Sequence, residues 1–188
     1  MQTDTLIQIM IAVAVLILAG SIAWLAFRSL RSRKLRQKFG PEYDYAIEKA
    51  GDRRTAEEML AERERRVNSL DIRRLDLAER DRYHKEWIGI QADFVDDPAK
   101  SVEKTDGLIT EIMILRGFPV ADFGQRAEDI SVAYPEFVKA YRSGHEIALK
   151  NQDGEASTEE LRQAMVYYRA VIEQLLETEE AEVKEVAV

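Results

Sequence analysis

STEELRQAMVYYRAVIEQL, residues 157–175, carries the signature of a helix from its first residue to its last. Ser157 and Glu160 have the spacing of a capping box, in which each side chain takes up a backbone N–H that the first turn leaves unpaired. Leu161, Met165, Tyr168, Ile172 and Leu175 then recur at intervals of 4, 3, 4 and 3, so they share one seam that has to pack against another helix. Beyond Leu176, ETEEAEVKEVAV loses the apolar period and turns acidic, which predicts a disordered tail over 177–188.

Upstream of this helix, the same punctuation repeats. Pro135 opens a segment with Val138, Tyr141, Ala148 and Leu149 on one side, and Gly154 stops it. Asp122 caps a short helix with Phe123, Ala127 and Ile130. Asp97-Pro98 is an N-cap followed by proline in the first helical position, opening a helix through Val102, Leu108, Ile109, Ile112 and Met113 that closes at Gly117. From about Leu77, Tyr83, Trp87, Ile90 and Phe94 fall at helical spacing and form one broad aromatic face, the expected core. DRRTAEEMLAERERRVNS, residues 52–69, has a narrow apolar stripe of Ala56, Met59, Leu60 and Val67. Its Glu62 and Arg66 are spaced to pair on the surface, so this helix is expected to be solvated or to lie against a partner. EYDYAIEKA ends at Gly51, and Gly40-Pro41 ends whatever precedes it.

Composition agrees with helices. Four Pro and nine Gly in 188 residues supply too few turns for an all-β fold, and 33% charged against 46% hydrophobic residues excludes a disordered chain. With no Cys, disulfides, Cys-ligated metals and thiol catalysis are excluded.

The N-terminal fifth is different. LIQIMIAVAVLILAGSIAWLAF, residues 6–27, has no charge, and 22 helical residues extend about 33 Å, enough for a hydrocarbon core of about 30 Å. Arg28, Arg31, Arg33, Lys34, Arg36 and Lys38 follow at once, whereas the only charged side chain before the run is Asp4. By the positive-inside rule the chain after residue 27 is cytoplasmic. A cleaved signal peptide would need its basic residues on the other side. Trp24 and Phe27 suit the headgroup level, with Arg28, Arg31, Arg33, Lys34 and Arg36 completing the membrane interface. Ala19, Gly20, Ala23 and Ala26 form a small-residue patch through which two spans could pair into a homo-oligomer. The expected organisation is an external N-terminus at 1–5, a transmembrane helix at 6–27, a basic juxtamembrane segment at 28–41, and an all-α domain at 42–176. That domain is expected to be a compact bundle of about five or six helices, followed by the tail.

The net charge of −8 is unevenly spread: Asp4 and the six cations of 28–38 leave −13 for residues 39–188. Such a domain is a poor match for nucleic acid, which is bound by neutralising phosphates. No catalytic, cofactor or metal residues emerge. His84 and His145 are isolated and form no zinc pattern, His145 fitting a hydrogen-bonded core position and His84 a boundary one. Asp93, Asp96 and Asp97 lack the glycine and terminal Glu of a calcium loop and are better explained by a helix end. Tyr83, Trp87, Phe94, Tyr141, His145 and Tyr168 are the core residues that could also line a pocket.

FGPEYDYAIE, GDRR, EWIGIQADFVDDP, RGFPVADFGQRAEDISVAYPEFV and GEASTEELRQAMVYYR occur in this order between about Lys38 and Leu176. In these segments the chain resembles an uncharacterised family of bacterial membrane-anchored proteins. The resemblance implies a bacterial inner-membrane setting and carries over no site, because no activity is established for that family. The expected function is a membrane-tethered interaction or scaffold module, with the lipid bilayer and an unidentified protein as partners. The alternatives are a small anchored enzyme using carboxylate, Tyr and Arg groups, such as Asp93, Asp96 and Tyr83, and a sensor of anionic lipid.

Overall fold

A computed structural model describes the backbone of residues 2–176 and the side chains of residue 10 and residues 16–176. The expected acidic tail at 177–188 lies outside the described residues. The chain divides into two units, Met1–Lys38 and Phe39–Val188.

The described residues of the first unit are helical, within α1 (Gln2–Phe39). Leu16, Ile17, Leu18, Ile22, Leu25, Phe27 and Leu30 are each 58–72% exposed. At about 100° per residue these positions wind round the whole helix, leaving no single stripe to face a core. The expected membrane-spanning run, residues 6–27, lies partly outside the described side chains. Among the described residues, no helix is long and apolar enough to cross a membrane.

The second unit contains α2 (Pro41–Ala50), α3 (Arg53–Asn68), α4 (Leu77–Asp93), α5 (Pro98–Arg116), α6 (Phe123–Ala133), α7 (Val138–Gln152) and α8 (Thr158–Leu175), and no strand among the described residues. These seven helices among the described residues exceed the expected five or six. α4 and α8 each pack on α5, α7 packs on α8, and α6 bridges α7 to the α2–α3 hairpin. One core runs through the bundle from Trp87 and Ile90 on α4, through Ile109 and Ile112 on α5, to Tyr141 on α7 and Tyr168 and Ile172 on α8. Burying a side chain of this size contributes about 1.5–3 kcal/mol.

The expected caps at Asp97, Asp122 and Ser157 are present, and Asp52 adds another. Asp52, Asp97, Asp122 and Ser157 each accept a backbone N–H of the first turn. Asp76 and Glu79 form a second complete capping box at α4. Gly117 ends α5 with φ 93°, and a Cβ there would stand 2.5 Å from the Asp71 carbonyl oxygen, so both backbone conformation and close approach require glycine. Buried Arg116 donates to the carbonyls of Arg73 and Leu175, closing the end of α8.

Three expectations are corrected. α7 begins at Val138 rather than Pro135, after a turn over 135–137, and has no side-chain cap. Phe94 is the C-cap of α4 and only partly buried, because the helix ends before its ring can turn fully inward. The largest correction concerns α3, whose stripe packs into the bundle rather than facing solvent. It buries Ala56, Glu57, Leu60, Arg63 and Val67 in the bundle. Arg66 pairs with Glu128 and Asp129 on α6 rather than with Glu62.

Candidate functional site

The residues expected as core or pocket form two groups. Tyr83 and Trp87, with Phe94 at the helix end, face α5 from α4. Tyr141, His145 and Tyr168 come together between α7 and α8, joined by three residues that the sequence reading missed: Asp106, Phe123 and Arg126.

This second group is a dense polar cluster. The Tyr168 hydroxyl donates to Asp106 Oδ1 at 3.1 Å, and Arg126 Nε donates to the Tyr141 hydroxyl at 3.1 Å. Arg126 also stands 3.7 Å from Asp106 Oδ2. His145 lies flat on Phe123, with ring centroids 3.5 Å apart and planes inclined by 8°. Its Nδ1 is 3.7 Å from Asp106 Oδ1, too far for a hydrogen bond, and that nitrogen is buried without a hydrogen-bond partner. His145 is therefore packed by ring stacking, not held by the hydrogen bond expected of it.

Burial pushes the Asp106 carboxyl up, but the His145 imidazole, the Arg126 guanidinium and the Tyr168 hydroxyl outweigh it and hold the group below its ordinary range. Burial, reinforced by the Asp106 charge, raises Tyr141 to about 12 and drives Tyr168 up as well. The cluster thus keeps one carboxylate ionised and two phenols neutral. Gly144 is part of its construction: a Cβ there would lie 2.8 Å from the Tyr168 ring. A sequence signal for Asp106 existed, since it is the one carboxylate on the seam of Val102, Ile109 and Met113.

A second polar system joins α2, α3, α6 and α7. Glu42, 2% exposed, accepts from Arg63 at 3.0 Å and from both terminal nitrogens of Arg142 at 2.6 and 2.8 Å. Arg63 continues to Glu128 at 2.9 Å, and Arg66 donates to Asp129 Oδ1 at 2.8 Å. The Tyr43 hydroxyl donates to Glu57 at 2.7 Å. Burial raises the Asp129 carboxyl even though Arg66 opposes it, and the second oxygen of Asp129 has no hydrogen-bond partner.

Two clefts open elsewhere. One, of about 450 Å³, lies between α2 and α7 and is walled by Tyr45, Glu48, Val138, Arg142 and Glu146, with the Arg142 guanidinium 4.1 Å above the Tyr45 ring. The other, of about 430 Å³, lies between α4 and α8 and includes Arg80, His84, Trp87, Ile88, Arg169 and Leu176. His84 is thus at a cleft edge. Neither cleft reaches Asp106, Arg126, Tyr141, His145 or Tyr168. Asp93 and Asp96 are solvent-facing, and Asp93 pairs with Lys104 at 2.6 Å. Among the described residues no group of His, Cys, Asp and Glu is arranged to hold a metal ion.

At the expected membrane interface, Trp24 and Phe27 are 59% and 68% exposed, and the Arg28 guanidinium lies 5.6 Å from the Trp24 ring. Arg31, Arg33, Lys34 and Arg36 are exposed along the same helix. No family model, no curated protein and no solved structure matches the chain.

Proposed function

We propose that the chain is a membrane-tethered helical interaction module: α1 spans a bacterial inner membrane with its N-terminus outside, and the α2–α8 bundle sits at the cytoplasmic face. The observation that carries this reading is α1 itself. An exposed helix that is apolar on every side has no soluble resting place, since a water-facing helix needs a polar face. The uncharged run over 6–27 and the six cations after it support a span with this orientation. The bacterial setting draws on the family resemblance.

The protein-facing surface is the outer side of α4. Tyr83, Trp87 and Ile90 turn inward, yet Leu77, Ile88 and, just past the helix end, Val95 stay 52%, 51% and 84% exposed. The spacing of Leu77 and Ile88 places them on one side and Val95 lies in the turn that follows, so α4 has apolar residues on both faces. α3 is the weaker candidate, because its apolar stripe is buried in the bundle. Tethering raises the effective concentration of such a surface for another membrane-bound protein. The span's exposed Ala19, Gly20, Ala23 and Ala26 offer a route to self-association. An enzyme built on Asp93 and Asp96 loses its geometric motive, because both face solvent outside either cleft.

Site-directed photocrosslinking in cells tests the surface. Probes at Ile88 and Val95 should give a discrete protein adduct that probes at Glu58 and Glu62, exposed on α3, do not. Absence of adducts at both α4 positions would count against the reading.

A further inference from the structure

We infer that the first two turns of α1 beyond the span form a binding surface for anionic phospholipid headgroups, made of Arg28, Arg31, Arg33 and Lys34. The inference rests on the reading of α1 as a membrane span and adds a lipid preference to it.

The geometry separates the six cations of this stretch into two sets. With the apolar run ending at Phe27, Arg28 and Arg31 stand about 1.5 and 6 Å along the helix axis from it, and Arg33 and Lys34 about 9 and 10 Å. The headgroup layer is about 5–7 Å deep on each side, and charges act over about 8 Å at physiological salt. The first two side chains therefore lie among the headgroups and the next two within reach of their charge. Arg36 and Lys38 stand further out, at about 13 and 16 Å, and already take part in polar or electrostatic interactions of the protein.

Arg28, Arg31, Arg33 and Lys34 are exposed, and no acidic residue occurs between Phe27 and Phe39 to neutralise them. Trp24, one turn before Arg28 and in contact with its guanidinium, fixes the depth of the first cation at the level aromatic side chains prefer. Arginine supplies paired donors that match two phosphate oxygens, which suits a phosphodiester better than a point charge would. The occupant is a lipid and not free phosphate because the surface begins at the apolar boundary itself.

Trp24 is also the reporter. The chain has two tryptophans, so Trp87→Phe leaves Trp24 as the sole donor. This full chain is reconstituted in phosphatidylcholine vesicles containing phosphatidylglycerol, with an acyl-labelled acceptor on either lipid. Energy transfer to labelled phosphatidylglycerol should exceed transfer to labelled phosphatidylcholine by roughly twofold or more at low salt. The difference should vanish as salt approaches about 1 M, where screening shortens to about 3 Å. It should also vanish in R31Q/R33Q/K34Q and persist in R36Q/K38Q. Equal transfer to both lipids by an inserted chain overturns the lipid preference alone, as does a difference that survives both high salt and the triple substitution. Inorganic phosphate competing better than chloride at equal ionic strength would assign the surface to a soluble anion and overturn it too. Release of the chain by alkaline extraction would instead overturn the anchor on which it rests.

Discussion

Glu42 and Arg142, a hundred residues apart in sequence, are joined by two hydrogen bonds of 2.6 and 2.8 Å that tie the first helix of the bundle to its sixth. Arg63 approaches the same carboxylate from α3. A buried ion pair costs desolvation that its own attraction only partly offsets, so its main consequence is specificity: with Glu42 absent, two guanidinium groups lose the carboxylate they share.

Glu42→Gln should therefore lower stability by about 3 kcal/mol, because Arg142 loses its carboxylate partner and Arg63, whose side chain is 4% exposed, keeps only Glu128. The urea midpoint of the full chain in detergent measures it. Removing the exposed Arg54–Glu58 pair, with side chains 78% and 59% accessible, should change stability by less than about 0.5 kcal/mol. Equal effects would show that Glu42 does not organise the α2–α7 contact.

Two glycines should respond with opposite signs. Gly144→Ala places a methyl 2.8 Å from the Tyr168 ring in the core and should destabilise by about 1–3 kcal/mol. Gly89→Ala lies on the exposed side of α4 with nothing within 4 Å and should stabilise by about 0.5–1 kcal/mol through helix propensity. Thermal melts of the two variants decide it.

Alkaline pH should weaken the bundle through Tyr141. Its folded pKa is raised to about 12, so the phenol contributes its full stability below the unfolded value of about 10 and loses it as pH rises towards 12. At about 1.4 kcal/mol per unit, the loss across that window is roughly 2–3 kcal/mol. Phenolate absorbance should show Tyr141 ionising only near 12 or on unfolding. Tyr141→Phe should reduce the late phenolate step, to which Tyr168 also contributes, and should flatten the stability profile. A late step of the same size with and without Tyr141 would contradict the buried cluster.

Ile88→Asp should leave folding intact, because the side chain already meets water, and should abolish the protein adduct formed from a probe at Val95. Circular dichroism checks the first half and crosslinking the second. An adduct that survives would move the partner surface off α4.

Much of the helical order was legible because local rules set it. Asp97, Asp122 and Ser157 act as caps, and Gly51 and Gly117 end their helices in the left-handed conformation. The start of α7 was not legible, since Pro135 suits a turn as well as a first helical position and no capping side chain marks Val138. α3 misled for a physical reason. A hydrophobic pattern counts apolar residues, and α3 packs partly through Glu57 and Arg63, whose burial depends on Tyr43, Glu42 and Glu128 supplied from distant segments. The Asp106 cluster was half legible: periodicity brought Tyr141, His145 and Tyr168 to inward faces, whereas Arg126 and Phe123 join them only through the placement of α6. The expected membrane-interface side chains of α1 rest on charge and apolar order alone, which need no tertiary contact.

Accessibility of a single introduced cysteine tests the central claim most directly, because the chain has none of its own. With Glu155→Cys, in the exposed turn before α8, the chain should stay in the membrane fraction after alkaline extraction. A membrane-impermeant maleimide should label it only once the inner membrane is opened. Release by alkali would contradict the span, and labelling in intact spheroplasts would contradict the cytoplasmic placement of the bundle.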